Sequence, residues 1–301
     1  MINLDLPLRE RDEVVARGDY SDTPEIARLS IPEGIKEIGE NAFRGFECLK
    51  EVQLPRSLLK ISAAAFADCK SLTRVVMESG LVEIGDEAFS SCPSLLGINM
   101  PDTVKRIGEG AFEACASLTS LKLSESVYMI GASAFASCFN LTDVTIPDSC
   151  VLVEFNAFAS CFSLEAIKLS DNMGLIDDST FEGCRSLKIV DMPTKLYKIG
   201  RRAFFGCSSL VSLILPFALR EIGYDAFANC TSLSRIAIPK GLLSIEDEDA
   251  FSACDSLAEI SFGGNKEAWD NLTHGRGVTV VHSDLTRSIP KINFMDLKNE
   301  I

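Results

Sequence analysis

Residues 107–147 read IGEGAFEACASLTSLKLSESVYMIGASAFASCFNLTDVTIP. The pattern A-F-x-x-C-x-x-L occurs twice in this stretch, beginning at Ala111 and at Ala134, 23 residues apart. Outward from it the phenylalanine recurs at Phe43, Phe66, Phe89, Phe112, Phe135, Phe158, Phe181, Phe204, Phe227 and Phe251, every step 23 residues except a last step of 24. A constant period of this size marks a solenoid, in which each copy stacks on the one before.

The residues around the phenylalanine are equally regular. Ala precedes it in nine copies and Thr180 in the other, and Leu follows six residues later in every copy, as at Leu118 and Leu141. Three residues after it stands Cys in nine copies, with Phe46 in the first. Next, L-x-x-V-x-I alternates with a period of two, which predicts a short strand with one buried face. A Pro such as Pro147 closes it, since proline ends ladder pairing. The V-x-x-I-G stretch predicts a second, shorter extended segment. Acids then cluster before the phenylalanine, as in Asp86-Glu87, Glu109 and Asp177-Asp178. Carboxylates there suit the first turn of a short helix, where free N–H groups and the dipole favour negative charge. One copy cannot bury its own Phe, Cys and Leu, so stacking must build the core. At strand spacing, ten copies extend for about 50 Å.

The run I-G-x-x-A-F-x-x-C-x-S-L-x-x-V-x-I-P resembles the BspA-like leucine-rich repeats over residues 26–263. The later stretch FGGNKEAWDNL is similar to the segment that closes many such arrays, with Trp269 at the matching place. The resemblance implies an α/β leucine-rich-repeat solenoid, curved and right-handed, with a parallel sheet on the concave side and short strands and helical turns elsewhere. It also implies binding of proteins or host surfaces, not catalysis. The organisation expected is an N-terminal capping segment over 1–25, ten repeats over 26–263, and a C-terminal capping segment and tail over 264–301. Leu4-x-Leu6-Pro7 echoes V-x-I-P as a degenerate first rung, and Val278-Thr279-Val280-Val281 reads as a last strand, with 284–301 free to fold back as cover.

The remaining composition narrows the function classes. A net charge of −14 argues against nucleic acid, whose phosphates require a basic footprint. No apolar run is long enough to span a membrane, and the start MINLDLPLRERDEVV lacks a basic region followed by an apolar core. This favours a cytoplasmic location, with the cell surface or secretion as the alternative. Nine of the eleven cysteines lie in the inward ladder, no C-x-x-C occurs, and His274 and His282 are the only histidines, so neither metal nor cofactor is expected. Small buried thiols pack well and are expected to be unbridged. Catalytic motifs are absent, so the reading is no enzyme.

Function is therefore sought where a variable slot departs from its usual chemistry. The outward strand positions are mostly polar or small, yet Ile189 and Ile214 are apolar. With Ala166, Lys168, Asp191 and Arg235 they make an apolar centre with a charged rim, the anatomy of a protein interface. Phe139 and Phe162 form a second departure, in a slot that holds Glu47, Lys70, Arg185 or Asp255 elsewhere. Ordinary packing variation is the competing explanation for both. Arg17-Gly18-Asp19 matches a known integrin-recognition tripeptide, and Asn140, Asn229 and Asn271 begin glycan-acceptor triplets, though Leu141 and Cys230 within two of these are ladder residues. The reading is a non-enzymatic protein-interaction scaffold with a protein partner, the oligomeric state open and a monomer favoured. The alternative is a surface adhesin that binds matrix or cells. An enzyme working from the terminal segments is a third class, with no catalytic constellation behind it.

Overall fold

The fold is taken from a computed structural model that describes residues 2–5, 14–16, 25–246, 250–273, 280–281, 287–288 and 290–294. Each copy forms one three-sided coil, and coils 1 to 10 are counted here by their phenylalanines, Phe43 to Phe251. The first side is a short strand, such as Glu51–Gln53 or Arg74–Val76, paired in parallel with its counterpart in the next coil. A turn leads to a two-residue strand, as at Lys60–Ile61 and Glu83–Ile84, also in parallel register. The third side carries the phenylalanine.

That third side is not helical. The only α-helix among the described residues is Lys266–Leu272, outside the repeats. The short helices expected from the acid clusters are therefore replaced by something else. Amides of alternate residues reach the next coil: Asn41 N–H to Ala63 O (3.0 Å), Phe43 N–H to Ala65 O (2.8 Å) and Gly45 N–H to Ala67 O (2.8 Å). The amides between them turn back, as Ala42 N–H does to Gly39 O and Arg44 N–H to Asn41 O. This alternation needs left-handed backbone two residues before and two after the phenylalanine, as at Asn41 (φ 54°) and Gly45 (φ 75°) or Asn156 (58°) and Ser160 (60°). Gly, Asn and Asp adopt it at least cost. The acids serve the next coil instead of a helix dipole. Asp86 Oδ1 accepts from Glu109 N–H (3.0 Å), and Asp178 Oδ1 from Arg201 N–H (2.7 Å).

The core is a set of ladders. Neighbouring phenylalanine rings stack at 5.2–5.9 Å with planes within 23° of parallel. Each ladder thiol donates to the carbonyl of the preceding coil's phenylalanine, as Cys92 Sγ does to Phe66 O (3.2 Å) and Cys161 Sγ to Phe135 O (3.2 Å). All eleven cysteines are unbridged, and only Cys48 is exposed. Thr180, the exception in the alanine column, is fully buried but satisfied, because its hydroxyl donates to Asp177 O (2.8 Å).

Glycine four residues before the phenylalanine has a packing reason. A Cβ on Gly131 would meet Glu109 N at 2.7 Å, and one on Gly223 would meet Arg201 N at 2.7 Å. Where one coil keeps a side chain here and the coil below does not, the ladder survives: Ser62 N–H still reaches Ile38 O, and Glu154 N–H reaches Ile130 O. Only Asp177, stacked over Glu154, places side chains on both coils. There the second sheet ends at Leu152–Val153 and resumes at Leu175–Ile176, and the Phe158–Phe181 spacing is the widest, 5.9 Å. The first sheet is also divided, between Ser120–Lys122 and Asp143–Thr145 and again between Ile189–Asp191 and Ser212–Ile214.

The ends are covered. Ile2–Asp5 pairs in parallel with Ile26–Ser30, and Val14–Val15 with Glu37–Ile38, adding a coil below the first repeat. Leu6 and Pro7 lie outside the described residues. At the other end Asn265 caps Lys266–Leu272 by accepting from Ala268 N–H (2.9 Å), and Trp269 packs 5.1 Å from Phe262. The last strand of the first sheet is Lys291–Phe294, paired with Glu259–Phe262. The expectation for 278–281 is thus corrected: Val280–Val281 pairs antiparallel with Arg287–Ser288, and residues 278–279 lie outside the described residues. Lys291–Phe294 takes the place because its alternation sets Ile292 over Ile260 in register with the core column.

Candidate functional site: the outward strand face

Regular stacking makes departures visible as surface features. The first strands turn their middle residue inward, Ile167, Val190, Leu213 and Ile236, and present the flanking two. Ile189 is 64% exposed and Ile214 79%, so both point to solvent. Ala166 stands in register beside Ile189, Lys168 beside Asp191, and Ser212 beside Arg235. Lys168, Asp191 and Arg235 are exposed and Ala166 is half-buried. The two isoleucines face each other diagonally across the seam where the first sheet is interrupted, and are not joined by ladder hydrogen bonds.

Two further residues enlarge this apolar region, Val211 (52% exposed) and Phe217 (65%). Both were legible as departures. Val211 occupies a slot that holds Lys50, Thr73, Glu165 or Lys188 in other coils, and Phe217 one that holds Asp102, Glu125 or Asp148. Below the patch Lys188 pairs with Glu165 at 3.0 Å, an exposed pair of little energetic weight.

Phe139 and Phe162 lie elsewhere, in the turn after the thiol. Their rings stack at 4.9 Å, 6° from parallel, and the Arg185 guanidinium covers Phe162 at 4.7 Å. The three make a continuous column across coils 5 to 7, in which a cation on an aromatic face closes one end. The pair is thus partly consumed by its own packing, although Phe139 remains exposed.

The electrostatics elsewhere read as structural. Arg202 donates to both oxygens of Glu182 (2.6 and 3.0 Å) and holds its carboxyl below the usual range. Glu221 raises Lys198 in the same way. Burial pushes the ladder thiols up, Cys115 and Cys161 to about 12, so they are donors and not nucleophiles. Among the described residues no group of three or more His, Cys, Asp or Glu is arranged to hold a metal, and no helix is long and apolar enough to cross a membrane. His274, His282 and Arg17-Gly18-Asp19 lie outside the described residues.

Coils of 23 residues, two parallel ladders and a stacked phenylalanine core define a parallel-strand repeat solenoid. The profile of the BspA type leucine rich repeat region matches six copies over residues 15–141, 82–199 and 174–273. The chain belongs to the BspA-type leucine-rich repeat family. Among solved structures it is similar to a leucine-rich repeat protein from Bacteroides ovatus, with 22% identity, 89% of this chain and 92% of that one covered, and a TM-score of 0.48. It is similar also to the Treponema pallidum leucine rich repeat protein (25% identity, 69% and 78% covered, TM-score 0.43). A third similar structure is the pneumococcal vaccine antigen PcpA (19% identity, 90% and 89% covered, TM-score 0.45). No curated protein matches the chain.

Proposed function

We propose that this chain is a non-enzymatic scaffold that recognises a protein partner through the strand face of coils 7 to 10. The observation that carries this reading is the placement of Ile189 and Ile214, 64% and 79% exposed, on a face where the other coils present mostly polar or small residues. Val211 and Phe217 extend the apolar centre, while Lys168, Asp191 and Arg235 rim it. Exposed apolar clusters with charged rims are the surfaces proteins use to bind one another. A face held by ladders on both flanks loses little entropy when it docks, which supports the same use. Family membership supports the scaffold role, since leucine-rich solenoids present such surfaces by repetition.

The test is capture of partners from the native organism by wild type and by the double variant Ile189→Ser/Ile214→Ser, with circular dichroism confirming equal folding. Loss of one specific captured protein in the variant supports the patch. Unchanged capture removes it and passes the question to Phe139→Ala/Phe162→Ala.

A further inference from the structure

In coils 5 to 10 the turn between the first and second strands carries a charge pattern unlike the rest of the molecule. Elsewhere, stacked positions alternate in sign and pair across coils, as Lys70 does with Glu47 (2.6 Å), Arg74 with Glu51 (2.9 Å) and Arg106 with Glu83 (3.1 Å). Along this turn the signs segregate. Over 124–128, 147–151 and 170–174, in coils 5 to 7, the charges are Glu125, Asp148 and Asp171, with no base. Over 193–197, 216–220 and 239–243, in coils 8 to 10, they are Lys195, Arg220 and Lys240, with no acid. Among the described residues none of these six makes an ion pair within the chain. Local bonds occupy several without neutralising them. Asp148 accepts from Asp171 N–H, Asp171 from Thr194 N–H, Lys195 donates to Asn172, and Arg220 donates to Phe217 O and Leu219 O. Like charges one coil apart repel, and among the described residues no ion pair offsets them.

Beside the charges runs an apolar row. Tyr128 is 47% exposed, Tyr197 52% and Leu243 74%, each one residue before the second strand of its coil. The Tyr197 ring lies across Gly174, where a Cβ would meet it at 2.7 Å.

From this arrangement we infer that the turn edge of coils 5 to 10 pairs with the same edge of a second copy of this chain, in antiparallel register. A two-fold axis lying across the edge between coils 7 and 8 reverses the order of coils and keeps the two rows in line. It then sets Asp171 opposite the turn of the partner's Lys195, Glu125 opposite the partner's Lys240, and Asp148 level with the partner's Arg220, whose backbone stands in the apolar row but whose guanidinium folds back to Phe217 O beside the charges. The same operation sets Tyr128 against the partner's Leu243 and brings Tyr197, which lies across Gly174 of its own chain, against the partner's Tyr197 beside the axis. Three acids followed by three bases are complementary to themselves only when reversed, so the pattern specifies the register as well as the partner. The strip covers six coils, about 28 Å along the stack, a small interface of the weak and salt-sensitive class. It shares Phe217 with the strand-face patch but not Ile189 or Ile214, and does not depend on that patch binding anything.

Sedimentation equilibrium of the full chain, with a thiol reductant, tests the proposal. Wild type is expected to dimerise at low salt and to dissociate in about 0.5 M salt, where charges are screened within a few ångströms. Lys195→Glu/Lys240→Glu gives an all-but-acidic edge, and Asp148→Lys/Asp171→Lys an all-but-basic one. Each alone should weaken self-association about tenfold or more, and an equimolar mixture should restore a dimer. Circular dichroism confirms that each variant is folded. If Asp148→Lys/Asp171→Lys fails to fold through loss of its amide contacts, the lysine variant alone decides. A wild type that stays monomeric at low salt, or associates equally at both salts, overturns the proposal. So do folded variants that dimerise like wild type, or a mixture of folded variants that does not.

Discussion

Raising the pH from 8 to 9 should remove a large part of the stability of this protein. The cause is eight thiols of the ladder together with the buried Cys150. Nine cysteines, Cys92, Cys115, Cys138, Cys150, Cys161, Cys184, Cys207, Cys230 and Cys254, have their pKa pushed up, in most of them mainly by burial and in Cys92 first by its hydrogen bond with Cys69. Cys150 reaches about 11 and Cys254 about 12. An unfolded chain ionises its thiols near about 8.5. Because the folded pKa lies above the unfolded one, the stabilisation is fully present below the unfolded value. It is lost as pH rises, since the unfolded state then holds fewer protons. Between pH 8 and 9 each such thiol contributes a loss of about 0.7 kcal/mol, and nine together about 6 kcal/mol. At pH 9.5 the slope reaches about 11 kcal/mol per pH unit, against a whole-domain stability of about 5–15 kcal/mol. Negative charge on the unfolded chain raises its thiol pKa somewhat, so these figures are upper values. Urea unfolding followed by circular dichroism, with a non-thiol reductant at pH 8 and 9, measures the difference. A loss of several kcal/mol is expected. A change below about 1 kcal/mol would refute the reasoning, because the thiols would then not be buried as protonated donors.

Three other outcomes follow from the same packing. Thiol titration without reductant should find eleven free groups in denaturant, and in the native state fast reaction at Cys48 alone. Paired ladder cysteines in the mass spectrum would contradict the donor role assigned to each Sγ. Asp177→Gly should let the second sheet close between coils 6 and 7, so the amide of residue 177 should gain hydrogen-exchange protection; an unchanged rate would mean that the paired side chains at 154 and 177 do not cause the break. Arg202 depresses the pKa of Glu182, so their contribution is present above the unfolded carboxyl value and is lost as pH falls through the folded one. Glu182→Gln should accordingly lower stability by about 1 kcal/mol at pH 7 and hardly at all at pH 3; equal differences at both would show that the charge is immaterial.

The period alone made the stack, the two ladders and the inward thiols legible, because each repeated slot demands the same burial in every coil. The third side was misread. Acids before an apolar residue also suit a helix start, and left-handed residues such as Glu87 and Arg202 carry no signal when taken singly. Read down the column, Asn41, Gly110, Asn156 and Asp225 form a set tolerant of positive φ, which points away from a helix. The interruption at Asp177 was legible only once the glycine column was known to touch the coil below. Ile189 and Ile214 stood out because their column was known to face outward. Val211 and Phe217 were passed over because they lie just outside the strand. The closing strand Lys291–Phe294 follows a long gap, and its alternation was no stronger than that of 278–281.

The central claim is that repeated residues carry the fold and departures from the repeat carry recognition. Urea-unfolding free energies of Phe135→Ala and of Ile189→Ser/Ile214→Ser, measured side by side, test it most directly. Phe135 is fully buried between two stacked rings, so its loss should cost about 3–5 kcal/mol. The two isoleucines are mostly exposed, so their replacement should cost about 1 kcal/mol or less, the range of strand propensity. Equal costs, or a larger cost for the isoleucine pair, would contradict the account.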